Sequence, residues 1–223
     1  MKKIFDGEVY DVIPQSSGVV FSYCKSVIDE QVLVSYKMLS TDTGVITDVA
    51  KNIYLLSKFG SNYRTAAAQV ANYITAKTLV LPSGGVFICN DTGAATLIDG
   101  TGAVAWTGEL KYRGVAPSDI AIYKNALWAC YSQSGVLLRF NLNTMREELR
   151  IGGTRSPFDK PRSIFIDGDI AVITNTGSHK LLKVDLNSYT VSDYKEFTEP
   201  VYGYVKVKNY EFVLMESGLY VLK

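Results

Sequence analysis

The sequence predicts an all-β fold: a five-bladed β-propeller of four-stranded antiparallel blades, with the ring closed by the N-terminal strand. Three observations predict it. A unit of four short apolar strands recurs along the chain. Its two best copies, Pro117–Met145 and Pro161–Tyr189, align without a gap at an offset of 44 residues (117 to 161). The last copy lacks its fourth strand, and a segment matching that strand opens the chain. Regular repeats of a unit that cannot bury its own faces mark stacked or ring architectures, and a two-sheet sandwich needs no repeat.

The elements follow in order. "KIFDGEVYDVI" (Lys3–Ile13) matches "KEFTEPVYGYV" (Lys195–Val205), with Lys, Phe, Val, Tyr and Val in the same places. The N-terminus therefore supplies a fourth strand and then enters a first one, which leaves no orphan edge in the ring. The first unit, Val9 to about Phe59, contains "VYDVIPQ", "GVVFSYCK", "QVLVSYKML" and "NIYLLSKF". "SNYRTAAAQVANYITAK" (Ser61–Lys77) is too long for a blade-to-blade connection, so it is an insertion in a single domain of residues 1–223. Ser61 or Asn62 can cap a short helix through its alanines, with an irregular connector or a long strand as the other readings.

The second unit, Thr78–Leu110, begins with "TLVLPSGGVFICNDTG", which lies without a gap on "RSIFIDGDIAVITNTG" (Arg162–Gly177). The third and fourth units each read as Pro, a short strand, a turn, a second strand, a polar loop, and a third strand ending in Leu-Asn-Thr or Leu-Asn-Ser. "REELRI" and "TVSDYKEF" follow as their fourth strands. The fifth unit has "VYGYVKV", "YEFVLMES" and "GLYVLK" before the chain ends.

Composition narrows the function classes. Hydrophobic residues make up 47% and charged residues 20%, enough to bury a core. The net charge is +1 with no basic block, which argues against a nucleic-acid partner. No stretch approaches the length of a membrane helix, so no membrane partner is expected. The lysines of "MKKIFDGEVYDV" precede no apolar core of a signal peptide, which predicts a cytoplasmic protein. Cys24, Cys89 and Cys130 each fall within a strand and are expected to be reduced, packed thiols.

"FDKPRSIFIDGDIAVITNTGSHKLLKVD" resembles an NHL-type propeller repeat, through Pro161, Gly168, Asn175, Gly177, His179 and Lys180. The Pro117 copy departs from that pattern, with Lys124 at the turn glycine and Gly135 in the His179 slot. The resemblance implies that starts of first strands and ends of second strands crowd one mouth of the central channel. The first set is Tyr10, Asp11, Thr78, Ser118, Asp119, Arg162, Ser163 and Tyr202. The second is Lys25, Asp91, Tyr131, Asn175 and Glu216. Ten of these, Tyr10, Asp11, Lys25, Asp91, Asp119, Tyr131, Arg162, Asn175, Tyr202 and Glu216, form the expected ligand site.

The expected function is non-enzymatic binding or scaffolding, with a peptide, protein or small molecule as partner and no cofactor. The alternative is a Ca²⁺-dependent hydrolase or lyase of the lactonase kind, its ion held by Asp91, Asp119, Asn175 and Glu216. With a single histidine, His179, a site built from several histidines is excluded. No motif of a nucleotide-binding loop or a nucleophile elbow occurs.

Overall fold

The computed structural model describes residues 1–60 and 77–222. Among the described residues, twenty strands form five four-stranded antiparallel sheets, the blades of the expected ring. Blade 1 is β2 (Val9–Gln15), β3 (Gly18–Ile28), β4 (Gln31–Ser40) and β5 (Ile46–Val49). Blade 2 is β6 (Lys77–Val80), β7 (Val86–Cys89), β8 (Ala94–Ile98) and β9 (Val104–Glu109). Blade 3 is β10 (Asp119–Tyr123), β11 (Ala126–Tyr131), β12 (Val136–Asn141) and β13 (Glu147–Gly152). Blade 4 is β14 (Pro161–Asp167), β15 (Ile170–Asn175), β16 (Lys180–Asp185) and β17 (Val191–Glu196).

Blade 5 joins the chain's ends, as the sequence predicts. Its strands are β18 (Val201–Val207), β19 (Tyr210–Met215) and β20 (Gly218–Val221), and β1 (Lys2–Asp6) pairs antiparallel with β20.

Local chemistry explains why blades 3 and 4 repeat so closely. The third-strand turns are held by Asn141 and Asp185, whose Oδ1 atoms accept backbone N–H bonds from Asn143 and Asn187 at 2.9 Å. At the preceding turn, Gly135 (φ 59°) and His179 (φ 56°) occupy the same left-handed position. His179 is thus a turn residue, and its slot accepts glycine because the backbone, not the imidazole, is what the turn uses.

The apolar faces of the blades meet in the seams between them. Among the described residues, buried clusters fill four of the five seams. Phe87 and Leu138 lie between blades 2 and 3, and Trp128 and Ile173 between blades 3 and 4. Val213 and Leu181 lie between blades 4 and 5, and Phe21 and Phe212 between blades 5 and 1. Cys89 and Cys130 are buried parts of these clusters; burial pushes the Cys89 thiol up to about 12 and the Cys130 thiol well above its ordinary value. Both are in the unreactive thiol form at neutral pH.

The seam between blades 1 and 2 is different. It holds α1 (Lys51–Phe59), which packs against both β2 and β6. This corrects the reading of "NIYLLSKF" as a fourth strand, which is instead the four-residue β5. Tyr54, Ser57 and Lys58, spaced i, i+3, i+4, turn one helical face toward the ring, while Ile53 and Leu56 stay exposed. Gly60 (φ 60°) ends the helix by donating its N–H to the Leu56 carbonyl. Residues 61–76, where a helix, connector or strand was expected, lie outside the described residues.

A second correction concerns register. The gapless match of Thr78–Gly93 on Arg162–Gly177 is not a structural equivalence. Five residues separate the paired Val80 and Val86, but four separate the matching pair Ile166 and Ala171, so the blade 2 hairpin is one residue longer. Lys77, facing Cys89, therefore occupies the slot of Ser163, facing Thr174, and Thr78 the slot of Ile164.

Tyr131 is fully buried and its hydroxyl has no hydrogen-bond partner among the described residues. Tyr131→Phe removes an unpaid desolvation at constant shape. Unfolding free energy from urea melts is expected to stay unchanged or rise by about 1 kcal/mol. A loss of that size would reveal a partner for the hydroxyl.

Candidate ligand-binding channel

The first strands of all five blades, β2, β6, β10, β14 and β18, line a central channel of about 910 Å³. Ser57 and Lys58 of α1 complete its wall. Pairing registers align the strands, because each first strand runs antiparallel to a second strand whose faces are fixed by the seams. Facing Ser22, Cys89, Cys130, Thr174 and Leu214 are Asp11, Lys77, Asp119, Ser163 and Gly203. These five form one belt around the channel. The next residues, Val12, Thr78, Ile120, Ile164 and Tyr204, alternate away and are buried in the seams. One step deeper, Ile13, Leu79, Phe165 and Val205 return to line the channel with apolar walls.

Above the belt, three blades carry a β-bulge. The extra residues are Tyr10 between Val9 and Asp11, Arg162 between Pro161 and Ser163, and Tyr202 between Val201 and Gly203. A bulge adds a residue that the ladder does not hold and re-aims its side chain, here to the rim of the channel. The Arg162 guanidinium stacks over the Tyr202 ring, 4.7 Å from its centroid. The Tyr10 hydroxyl donates to Glu8 at 3.0 Å.

The belt is charged on one side and small on the other. Asp11 accepts a 2.8 Å hydrogen bond from the Tyr54 hydroxyl and lies 3.2 Å from the Lys58 ammonium. Asp119 pairs with Lys77 at 3.6 Å, and its second oxygen accepts the Ile164 N–H at 3.0 Å, tying blade 3 to blade 4. Blades 4 and 5 contribute only Ser163 and Gly203. Burial favours the neutral form of Asp11, but the charges of Lys58 and Lys77 and the bonds from Tyr54 and Lys58 outweigh it and hold its carboxyl below the ordinary range. Asp119 raises Lys77 above its ordinary value, against burial; Asp11 adds to this and the like charge of Arg162 opposes it.

A pH dependence follows from Asp11. A depressed folded-state pKa contributes stability that is present above the unfolded value of about 4 and lost as pH falls through the folded value. Asp11→Asn is therefore expected to melt lower than wild type at pH 7, with the gap closing as pH drops below about 4. Thermal melts between pH 2 and 7 test this, and a gap that stays constant to the lowest pH contradicts it.

Of the ten expected site residues, Tyr10, Asp11, Asp119, Arg162, Tyr202 and Glu216 line the channel. The other four lie elsewhere. Tyr131 turns into the seam between blades 2 and 3. Asn175, the last residue of β15, is buried, and its side chain fastens the neighbouring loops: its Oδ1 accepts the Asp159 N–H at 2.8 Å and its amide donates to Ser178 Oγ at 2.7 Å. Lys25 and Asp91 are exposed and absent from the channel lining. The four oxygen donors expected for Ca²⁺ thus do not converge: Asp119 and Glu216 line the channel, while Asp91 and Asn175 do not. Among the described residues no group of three His, Cys, Asp or Glu side chains is placed to hold a metal ion.

Sequence reasoning missed Tyr54, Lys58 and the role of Lys77. The sequence pattern places Lys77 in the insertion, but it opens β6 and fills the belt position of blade 2. The signal for α1 was present in Gly60 and in the Tyr54/Ser57/Lys58 spacing.

The channel serines Ser118 and Ser163 bond to neutral oxygens. The Ser118 hydroxyl donates to the Pro161 carbonyl at 2.9 Å, and the Ser163 hydroxyl lies 3.0 Å from Thr174 Oγ1. His179 sits at its turn and does not line the channel. No described helix is long and apolar enough to cross a membrane.

No protein-family model matches the chain, and no curated protein sequence does. Solved structures do. Sqt1 of Saccharomyces cerevisiae superposes with a TM-score of 0.54 at 11% identity, over 96% of this chain and 71% of that one. A catalytically inactive virginiamycin B lyase from Staphylococcus aureus, solved with quinupristin, gives 0.51 at 15% identity, over 98% and 70%. The computationally designed Ika8 protein gives 0.52 at 11% identity, and this chain spans 57% of its length. At these identities the likeness is one of fold.

Proposed function

We propose that this protein is a ligand-binding β-propeller whose ligand enters the central channel at the Tyr10, Arg162 and Tyr202 rim. The observation that carries this reading is the channel itself: about 910 Å³, with apolar walls below a belt of convergent polar groups. That volume and that division of labour are those of small-molecule pockets. Three blades place their bulge residue at the same rim, and those residues are Tyr, Arg and Tyr, the types that most often anchor ligands and partners.

A fragment library screened by ligand-detected NMR tests the reading. Fragments are expected to bind wild type at one shared site and to be weakened by Leu79→Trp, which narrows the channel at its apolar wall. Arg162→Ala is expected to weaken the same fragments while shifting stability by no more than about 0.5 kcal/mol. Fragments that bind Leu79→Trp as well as wild type place the site elsewhere.

A further inference from the structure

The charges of the channel do not cancel locally, and the mismatch points to a ligand class. Within the belt, Asp11 is matched by Lys58 and Asp119 by Lys77. Arg162, one residue above the belt, has no carboxylate partner among the described residues. It is held by its face against Tyr202, which leaves its in-plane N–H donors available. Arg162 and Lys77 both line the channel, and the charge of Arg162 acts against the protonated form of Lys77. The empty side of the belt lies beneath Arg162 and Tyr202, where Ser163 and Gly203 take up little room. Two more carboxylates, Glu8 and Glu216, line the rim and are exposed, as Arg162 is; Glu8 is taken up by the Tyr10 hydroxyl, and water and salt screen both from the channel below.

We infer that the channel binds a small monocarboxylate with an apolar stem. Its carboxylate is received by the Arg162 fork, backed by Lys77, and its stem lies between Ile13, Leu79, Phe165 and Val205. The inference rests on the channel-binding reading and adds the ligand's chemistry. A planar carboxylate matches the guanidinium's paired donors, and the resulting bonds are charge-assisted. A cation would meet Arg162 and Lys77 and find Asp11 and Asp119 already engaged. A dianion would bring one more charge than Arg162 offsets into a partly desolvated cleft. The four apolar wall residues have no use for a polar body.

Isothermal titration calorimetry of the full chain with octanoate and octanamide tests this. The two probes share a stem and differ only in the charged head. Octanoate is expected to bind about tenfold tighter than octanamide, the difference between charge-assisted and neutral hydrogen bonds. Arg162→Gln is expected to bring the two affinities together at an unchanged melting temperature, and Arg162→Lys to keep part of the preference. Equal affinities in wild type overturn the carboxylate assignment and leave the channel as a binding site. A preference that survives Arg162→Gln overturns the role of Arg162. If no straight-chain carboxylate from butanoate to dodecanoate binds, the inference fails, and the fragment screen against Leu79→Trp separately decides the channel.

Discussion

Deleting residues 1–7 is expected to lower the melting temperature by about 10–20 °C or to leave the protein insoluble. β1 is the outermost strand of blade 5, and its loss bares the edge of β20 along Gly218–Val221. An unpaired edge templates association with other chains. The deletion also removes Ile4 and Phe5, which pack on the core between blades 5 and 1. The Phe5 ring centroid lies 5.1 Å from Phe21 and 4.9 Å from Tyr23. Losing a packed aromatic costs about 3–5 kcal/mol, and each kcal/mol is worth about 2–4 °C in a chain of this size. Scanning fluorimetry with light scattering measures both effects. A truncated protein that is monomeric and melts within about 2 °C of wild type contradicts closure of the ring by β1.

Tyr54→Ala is expected to destabilise the protein by about 3 kcal/mol, or about 6–12 °C. Tyr54 is the buried anchor of α1 in the seam between blades 1 and 2. Its ring packs on Tyr36, 4.6 Å between centroids, and its hydroxyl holds Asp11. The alanine variant loses this packing and leaves Asp11 with one donor fewer. Tyr54→Phe keeps the ring and loses the bond, so it is expected to cost about 1–2 kcal/mol. Because α1 also forms part of the channel wall, Tyr54→Ala should weaken fragment binding as well. Chemical denaturation of the two variants measures the effects, and a Tyr54→Ala protein as stable as wild type contradicts the helix as the wedge of this seam.

The sequence announces four blades more clearly than the first, for a physical reason. In blades 3 to 5 the second and third strands alternate between two seams, so the apolar pattern has the strand period and the turns recur at fixed offsets. In blade 1 the short β5 is followed by "NIYLLSKF", whose apolar run reads as a strand while its buried face has the helical period. The bulge residues Tyr10, Arg162 and Tyr202 are legible because they open a strand at the same repeat position. Tyr131 and Asn175 are not, because the last residue of a second strand keeps the strand's alternation and turns into a seam or a loop rather than the channel. Lys77 is hidden because its hairpin carries one residue more than that of blade 4, which throws the gapless match with blade 4 out of register.

The most direct test of the account is methyl shift mapping of the protein titrated with a bound fragment or octanoate. The account predicts shifts centred on the channel methyls of Ile13, Leu79 and Val205. It predicts none on Val27, Ile28 and Val104, which are exposed and absent from the channel lining. Shifts confined to those outer methyls, with the channel set unmoved, would contradict a ligand site in the central channel.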